Sequence, residues 1–387
     1  MSEISREKAQ LLREHFKKRQ TEILALTRSL VECESPSGDE AGSAKVVSLL
    51  AASARNISSI TSIDRIASEG YGVHLRIRFG TANRTPPLVM IGHTDTVHQR
   101  GSIDAHPWRV EGNRVYGPGI FDMKANCVIA LEALRACEVL GTVPARPVTL
   151  LLTCDEENGS PAGRGLVEAE TRRARAVLVL EPSASGGRVK TARKGTGMFK
   201  LTVHGRAAHA GLDPEKGASA VLEFARQTVR LHAMNNLEKG TTVTVGTIRG
   251  GTHSNVVPAK AEGEIDVRFS SAEVGRWLEN EILSLKPFDE RTRLIVEGAI
   301  NRPPLERTEK VELLYRHACH VAGMIDFDLG EASVGGASDG NFVAALGVPV
   351  LDGLGVQGDG AHASHEHILA DDIPTRGALL AGLIATL

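Results

Sequence analysis

Residues 87–97 read Pro-Leu-Val-Met-Ile-Gly-His-Thr-Asp-Thr-Val. The run 88–91 contains no polar residue, so it has no face suited to water. A short run of this kind marks a strand covered on both sides, as in a parallel sheet. His93 and Asp95 follow it at once. In open α/β sheets, chemistry collects past the carboxyl ends of the strands. The stretch therefore sets an expected architecture and an expected place for a site.

Two further runs, 148–154 and 176–180, have the same continuous apolar character. Helical rhythms lie between and around them: 7–33 with Leu11, Leu12, Phe16, Ile23 and Leu30, then 41–54, then 126–140. Ser35-Pro36-Ser37-Gly38 breaks the first helical segment, and 72–79 reads as another strand. Near Thr191 the pattern changes. Residues 197–205 alternate like a half-exposed strand, followed by a helix at 218–232, strands at 241–250 and 260–269, a helix at 272–285 and a strand at 293–297. This β-α-β-β-α-β order predicts a ferredoxin-like sandwich. Asn301-Arg302-Pro303-Pro304 reads as its exit linker, after which 309–322 is helical, 349–351 a short strand and the tail from Pro374 a helix. The expected fold class is α/β: a mixed sheet flanked by helices (1–192 and 303–387), interrupted by an inserted α+β domain (193–302).

Composition narrows the function. The net charge is −2 and aromatic residues are 4% of the 387, so neither the basic excess nor the stacking surface of a nucleic-acid binder is present. No apolar run is long enough to span a bilayer, and residues 1–20, dense in Glu, Lys and Arg, lack the apolar core of a signal peptide. The five cysteines are scattered with no CxxC pair. They read as core thiols of a cytoplasmic protein.

Five elements carry candidate chemistry. His93 is a metal-ligand type whose second nitrogen needs an orienting acceptor, and Asp95 is a candidate for that role; the plain alternative is a turn with an incidental histidine. Asp122, in Gly119-Ile120-Phe121-Asp122-Met123-Lys124, is either a helix N-cap or a carboxylate shared by two metals. Asp155-Glu156-Glu157 directly follows the 148–152 run. Three adjacent carboxylates repel one another, so they are either a solvated loop or a cation site with one ligand and a neighbouring general base. Glu181 directly follows the 176–180 run. His362, His365 and His367 crowd six residues near the C-terminus. The mixed N/O donor set suits zinc.

With these motifs the chain resembles the zinc-dependent M20 peptidases and deacylases, which include glutamate carboxypeptidase, acetylornithine deacetylase, succinyl-diaminopimelate desuccinylase and aminoacylase. The matching segments are GHTDTV (92–97), GIFDMKAN (119–126), DEENGS (155–160), LEP (180–182), HGRAAHAGLDPEKGASA (204–220) and GAHASHEH (360–367). They run in the family's order along nearly the whole chain. SNVVP (254–258), DVR (266–268) and NRP (301–303) make the glutamate carboxypeptidase branch nearest. The resemblance implies two Zn2+ per chain, with Co2+ or Mn2+ as substitutes. Asp122 would bridge them, His93 and Glu181 would complete one shell, and Glu157 and His362 the other. His365 is the alternative to His362, which stands four residues before Glu366 as the family ligand does. Asp95 would orient His93, Glu156 would be the base, and the Asp122–Met123 peptide would be cis. The inserted domain would be a lid through which a homodimer forms, and His209 would reach the partner's site as an oxyanion donor. Asn255, Arg268, Arg302 and Gly336 are substrate-contact candidates, Arg268 either as a carboxylate clamp or in a structural ion pair. The Gly335–Gly340 loop departs from the family's usual Thr-Asp form, which leaves the substrate fit open.

The implied activity is hydrolysis of an amide bond beside a free carboxylate, in an N-acyl amino acid or a peptide. Deacetylation or desuccinylation within the same family is the alternative. Two rivals stand outside it. His93, Asp95 and His362 also compose the two-His, one-carboxylate pattern of non-haem iron oxygenases, but this leaves Asp122, Glu156, Glu157 and Glu181 without work. A non-catalytic binding protein on the same fold would not need the retained ligands and base.

Overall fold

The computed structural model describes residues 4–81 and 83–387 and resolves two compact units. The first comprises residues up to 192 together with 307–334 and 338–387; the second comprises 193–306 and 335–337.

The first unit is built on a six-stranded sheet in the order Ile60–Ser68, Gly72–Phe79, Val148–Thr153, Leu88–His93, Ala176–Val179, Val350–Leu351. The first three strands pair antiparallel and the last four parallel, so the sheet is mixed. Both Leu88–His93 and Val148–Thr153 are buried at every position, as their unbroken apolar runs require. The register sets the site. His93 lies opposite Thr153 and Ile91 opposite Val179, so the acidic turn after Thr153 and Glu181 after Val179 emerge level with His93.

Helices complete this core, which joins Leu30, Val46, Leu50, Leu134 and Leu379 to the sheet. Helix Ile373–Thr386 is buried almost all round and packs on helices Arg6–Lys18 and Ala125–Val139, which explains why its sequence lacks a polar face. A Cβ on Gly377 would lie 2.2 Å from the Phe16 ring; the helices approach that closely only because the residue is glycine.

The expected single helix over 7–33 is two helices, Arg6–Lys18 and Gln20–Glu32, broken at Arg19. Phe16 and Ile23 are both buried across the break, so the apolar rhythm runs through it and conceals it. Arg19 turns its guanidinium to Glu132 and Glu22.

The second unit has the antiparallel order Thr242–Gly250, Lys260–Phe269, Gly195–His204, Arg293–Arg302, with helices Ala220–His232 and Ala272–Leu283. Phe199, Leu201, Val203, Phe224 and Leu278 fill its core. This is the ferredoxin-like arrangement. Its last strand continues through Arg302, paired with Thr196, so the Asn301-Arg302 segment is strand and not exit linker.

Candidate active site

His93 ends its strand at 1% exposure. Its Nδ1 lies 2.9 Å from the backbone carbonyl of Asp95 and 3.5 Å from that residue's carboxylate. A carbonyl accepts only, so Nδ1 carries hydrogen and Nε2 faces outward. Nε2 lies 3.1 Å from Asp122 Oδ1 and 3.5 Å from Glu181 Oε1. The other Asp122 oxygen, Oδ2, lies 3.4 Å from His362 Nε2, and that nitrogen is 3.2 Å from Glu157 Oε2. The two oxygens of Asp122 therefore face two different imidazoles, each with its own glutamate. Donor atoms of His93, Glu156 and Glu181, and of His93, Asp122 and Glu157, lie within 4.8 Å of one another.

Three devices hold these side chains. The first concerns Asp95: its carboxylate accepts the hydroxyl of Ser37 and the amides of Glu156 and Glu157, tying the histidine loop to the acidic turn. Sequence reading assigned it to the imidazole, whereas the nearer contact there is its own carbonyl. The second is the Asp155 carboxylate, which accepts the amides of Ala162 and Gly163 where helix Gly163–Thr171 begins. One of the three adjacent acids is thus spent on a helix N-terminus. The third is Glu366, buried at 2% exposure. It accepts the amides of Gly119, Phe121 and Asp122 and pairs with His98 at 2.5 Å. It grips the turn that presents Asp122, just before the cis Asp122–Met123 peptide. Sequence reading used Glu366 only as a spacing mark and missed His98; no local pattern announces a carboxylate that gathers amides about 245 positions away.

Among the three C-terminal histidines, His362 is the one brought to Asp122 and Glu157. It does so at φ +64°, a conformation rare outside glycine and concentrated at functional positions. His365 is exposed, and His367 is buried against the Tyr116 ring.

Charge dominates the site. Burial opposes ionisation of Asp122, but hydrogen bonds from His362 and His93 hold its carboxyl well below the usual range. Burial likewise disfavours a charged His93, yet Asp122, Asp95 and Glu181 hold its pKa well above the ordinary value. Hydrogen bonds to Asp122 and Glu157 push His362 up to about 10. Burial raises Glu157, whose Oε1 is buried and has no hydrogen-bond partner among the described residues. Protons on two imidazoles here offset a crowd of carboxylates. That is a donor set for cations, and the unpartnered Glu157 oxygen fits a metal as well.

The remaining candidates lie in the second unit. His209 is exposed, and its Nδ1 accepts the amides of Gly211 and Leu212, which leaves Nε2 as a donor. Asn255 is exposed and accepts the Ala210 amide through its carbonyl. Arg268 pairs in a fork with Asp266, Nε to Oδ1 at 2.9 Å and Nη2 to Oδ2 at 2.8 Å. Arg302 is buried at 8% exposure, and the Gly336 carbonyl accepts from Arg193.

The sequence profile of peptidase family M20/M25/M40 matches residues 89–386. The chain belongs to the M20 peptidase family. Carboxypeptidase G2 of Pseudomonas sp. (strain RS-16) is 28% identical over 383 residues, spanning 95% of this chain and 90% of the relative. Succinyl-diaminopimelate desuccinylase of Dechloromonas aromatica is 27% identical over 390 residues, with 92% and 96% covered. Among solved structures, aminopeptidase PepT from Bacillus cereus superposes with TM-score 0.75 at 20% identity, covering 95% of this chain and 98% of that one. A dinuclear metal-binding M20 peptidase from Bacillus subtilis gives 0.68 at 13%, covering 95% and 98%. This M20 chain is a metal-dependent hydrolase of amide bonds. Among its described residues no helix is long and apolar enough to cross a membrane.

Proposed function

We propose that the chain uses two zinc ions to cleave the amide bond between an acyl or peptidyl group and an amino acid whose α-carboxylate is free. The observation that carries this reading is Asp122, with one oxygen toward His93 and the other toward His362. His93, Glu181 and Asp122 would hold one ion, and His362, Glu157 and Asp122 the other. The imidazole and carboxylate set suits zinc, with cobalt or manganese as substitutes. Bound zinc supplies Lewis acidity and makes water acidic enough to attack at neutral pH.

The chain's own residues do the rest. Glu156, beside His93 and Glu181, takes the proton of the attacking water and returns it to the leaving amine. Asp95 fixes the backbone from which Glu156 and Glu157 project. His209 donates from Nε2 to the developing oxyanion in the site of a partner copy. Its fixed tautomer supports that role, and Leu222, Val229 and Ile248, all more than half exposed in the same unit, support a homodimer through this lid. Arg268 is the clamp for the substrate carboxylate: Asp266 holds one edge of its guanidinium and leaves Nη1 available. Asn255, Arg302 and Gly336 are assigned to further substrate contacts. The resemblance of 254–258, 266–268 and 301–303 to the glutamate carboxypeptidase branch supports a glutamate-type leaving group. Five cysteines without a disulfide support a cytoplasmic setting.

The test is release of free amino acids from a panel of N-acyl amino acids and dipeptides, read by mass spectrometry on chelated and zinc-reconstituted protein. Zinc-dependent release from substrates with a free α-carboxylate, and none from their amides, supports the reading. Equal release from the amides overturns it.

A further inference from the structure

A second concave site lies at the opposite end of the sheet from His93. Its walls come from the segments that precede the parallel strands: Pro86, Ala174, Ala176 and Pro349, with Leu313 and Leu314 of helix Glu309–Gly323 and the terminal Leu387. The cavity measures about 440 Å³, within the roughly 300–1,000 Å³ typical of small-molecule pockets. Leu313 stands 52% exposed at its edge, an apolar side chain that gains by being covered.

The rim is of another kind. Arg173, Arg175 and Lys310 line it, no acidic side chain does, and the main-chain carboxylate of Leu387 in the same wall leaves the positive charges in excess. Arg146 bonds the carbonyl of Pro86 in the same wall, and burial together with the charge of Arg175 lowers its pKa. Among the described residues none of Arg146, Arg173 and Arg175 has a carboxylate within ion-pair reach. Elsewhere in this unit the arginines are commonly paired, as Arg76 is with Asp64 and Glu170 and Arg307 with Glu312 and Glu331. Like charges gathered over an apolar floor repel one another and attract an anion.

We propose that this pocket binds a small amphipathic carboxylate, its apolar tail on Leu313, Leu314 and Pro349 and its head between Arg173 and Arg175. A neutral apolar ligand would leave the excess of positive charge uncompensated, and a fully polar anion would leave the floor uncovered. A guanidinium fork is matched to a carboxylate. Ala176 opens the strand after which Glu181 follows, about 16 Å away at a strand rise of about 3.3 Å per residue, so occupancy here does not obstruct the metal-binding residues.

Decanoate is the probe and decan-1-ol its neutral control, titrated calorimetrically into the zinc-loaded full chain. The wild type is expected to take up decanoate saturably, and decanol at least about tenfold more weakly. Arg173→Ser with Arg175→Ser alters exposed side chains and is expected to weaken decanoate at least about tenfold while melting temperature and zinc content stay the same. Leu313→Glu, at the mouth, is expected to weaken both probes. Unchanged decanoate affinity in the double variant overturns the proposal by placing the ligand elsewhere, for instance on the metals. Equal binding of decanol overturns the anionic part, and absence of saturable uptake overturns the whole. A concentration-dependent association that Leu313→Glu abolishes, without decanoate uptake, shows instead that a second copy covers the groove.

Discussion

Replacing Glu366 with Gln tests whether the Asp122 turn is held by a buried carboxylate. In the wild type Oε1 accepts the amides of Phe121 and Asp122, and Oε2 accepts the amide of Gly119 and pairs with His98. Glutamine keeps one acceptor oxygen. Its amino group must then face either Gly119 or the Phe121–Asp122 pair, donor against donor. The smaller loss leaves the Gly119 amide unpaired, and the lost charge weakens the other bonds. An unsatisfied buried donor costs about 1–3 kcal/mol. Taken at about 2 kcal/mol, the variant should melt roughly 4–8 °C lower, given roughly 2–4 °C per kcal/mol at this domain size. Where that cost falls on the metal-binding arrangement, zinc affinity should drop about 30-fold. Glu366→Ala, which orphans every one of these amides, should do worse in both assays. Calorimetric melting and zinc titration against a competing chelator provide the measurements. A Glu366→Gln protein with wild-type melting and wild-type zinc affinity would refute the argument that this cradle positions Asp122.

Three further outcomes are expected. Glu156→Gln should retain both metals by elemental analysis while kcat falls at least about 100-fold, the low end for a general base; near-normal turnover would remove Glu156 from that role. Metal uptake should release protons, because His362 in the metal-free chain is held up to about 10 and His93 well above its usual value. His362 is then protonated at neutral pH, so zinc affinity must rise with pH, and calorimetry in buffers of different ionisation enthalpy should show net proton release; zero release would contradict the charge state derived for the site. His209→Ala should lower kcat about 100- to 1,000-fold, the typical cost of removing one oxyanion donor, with zinc content unchanged; loss of zinc instead would point to a structural role.

What the sequence made legible depended on how local the cause is. The strands Leu88–His93 and Val148–Thr153 can be read directly, because burial on both faces demands consecutive apolar residues. Strand Ile60–Ser68 was invisible. It is an edge strand, mostly half-buried or exposed, and its Ile-Thr-Ser-Ile-Asp-Arg-Ile-Ala-Ser pattern has no periodicity strong enough to separate it from a loop. Strand Arg293–Arg302 outlasts its alternation beyond Glu297 because backbone pairing with Gly195–His204 carries it on. The chemistry-bearing residue types stood out through charge: adjacent acids and clustered histidines are costly without a purpose. The residues that hold them did not. Asp95 serves amides after the neighbouring strand of the sheet, Asp155 caps a helix seven residues on, and Glu366 reaches back across most of the chain. Each is a carboxylate satisfied by backbone amides, and which amides these are is decided by the fold.

The central claim is that Asp122 lies between two metal ions. Anomalous diffraction at the zinc edge from crystals of the zinc-loaded protein tests it most directly. Two peaks, one between Asp122, His93 and Glu181 and one between Asp122, His362 and Glu157, are the predicted result. A single peak, or peaks that do not touch Asp122, would contradict it.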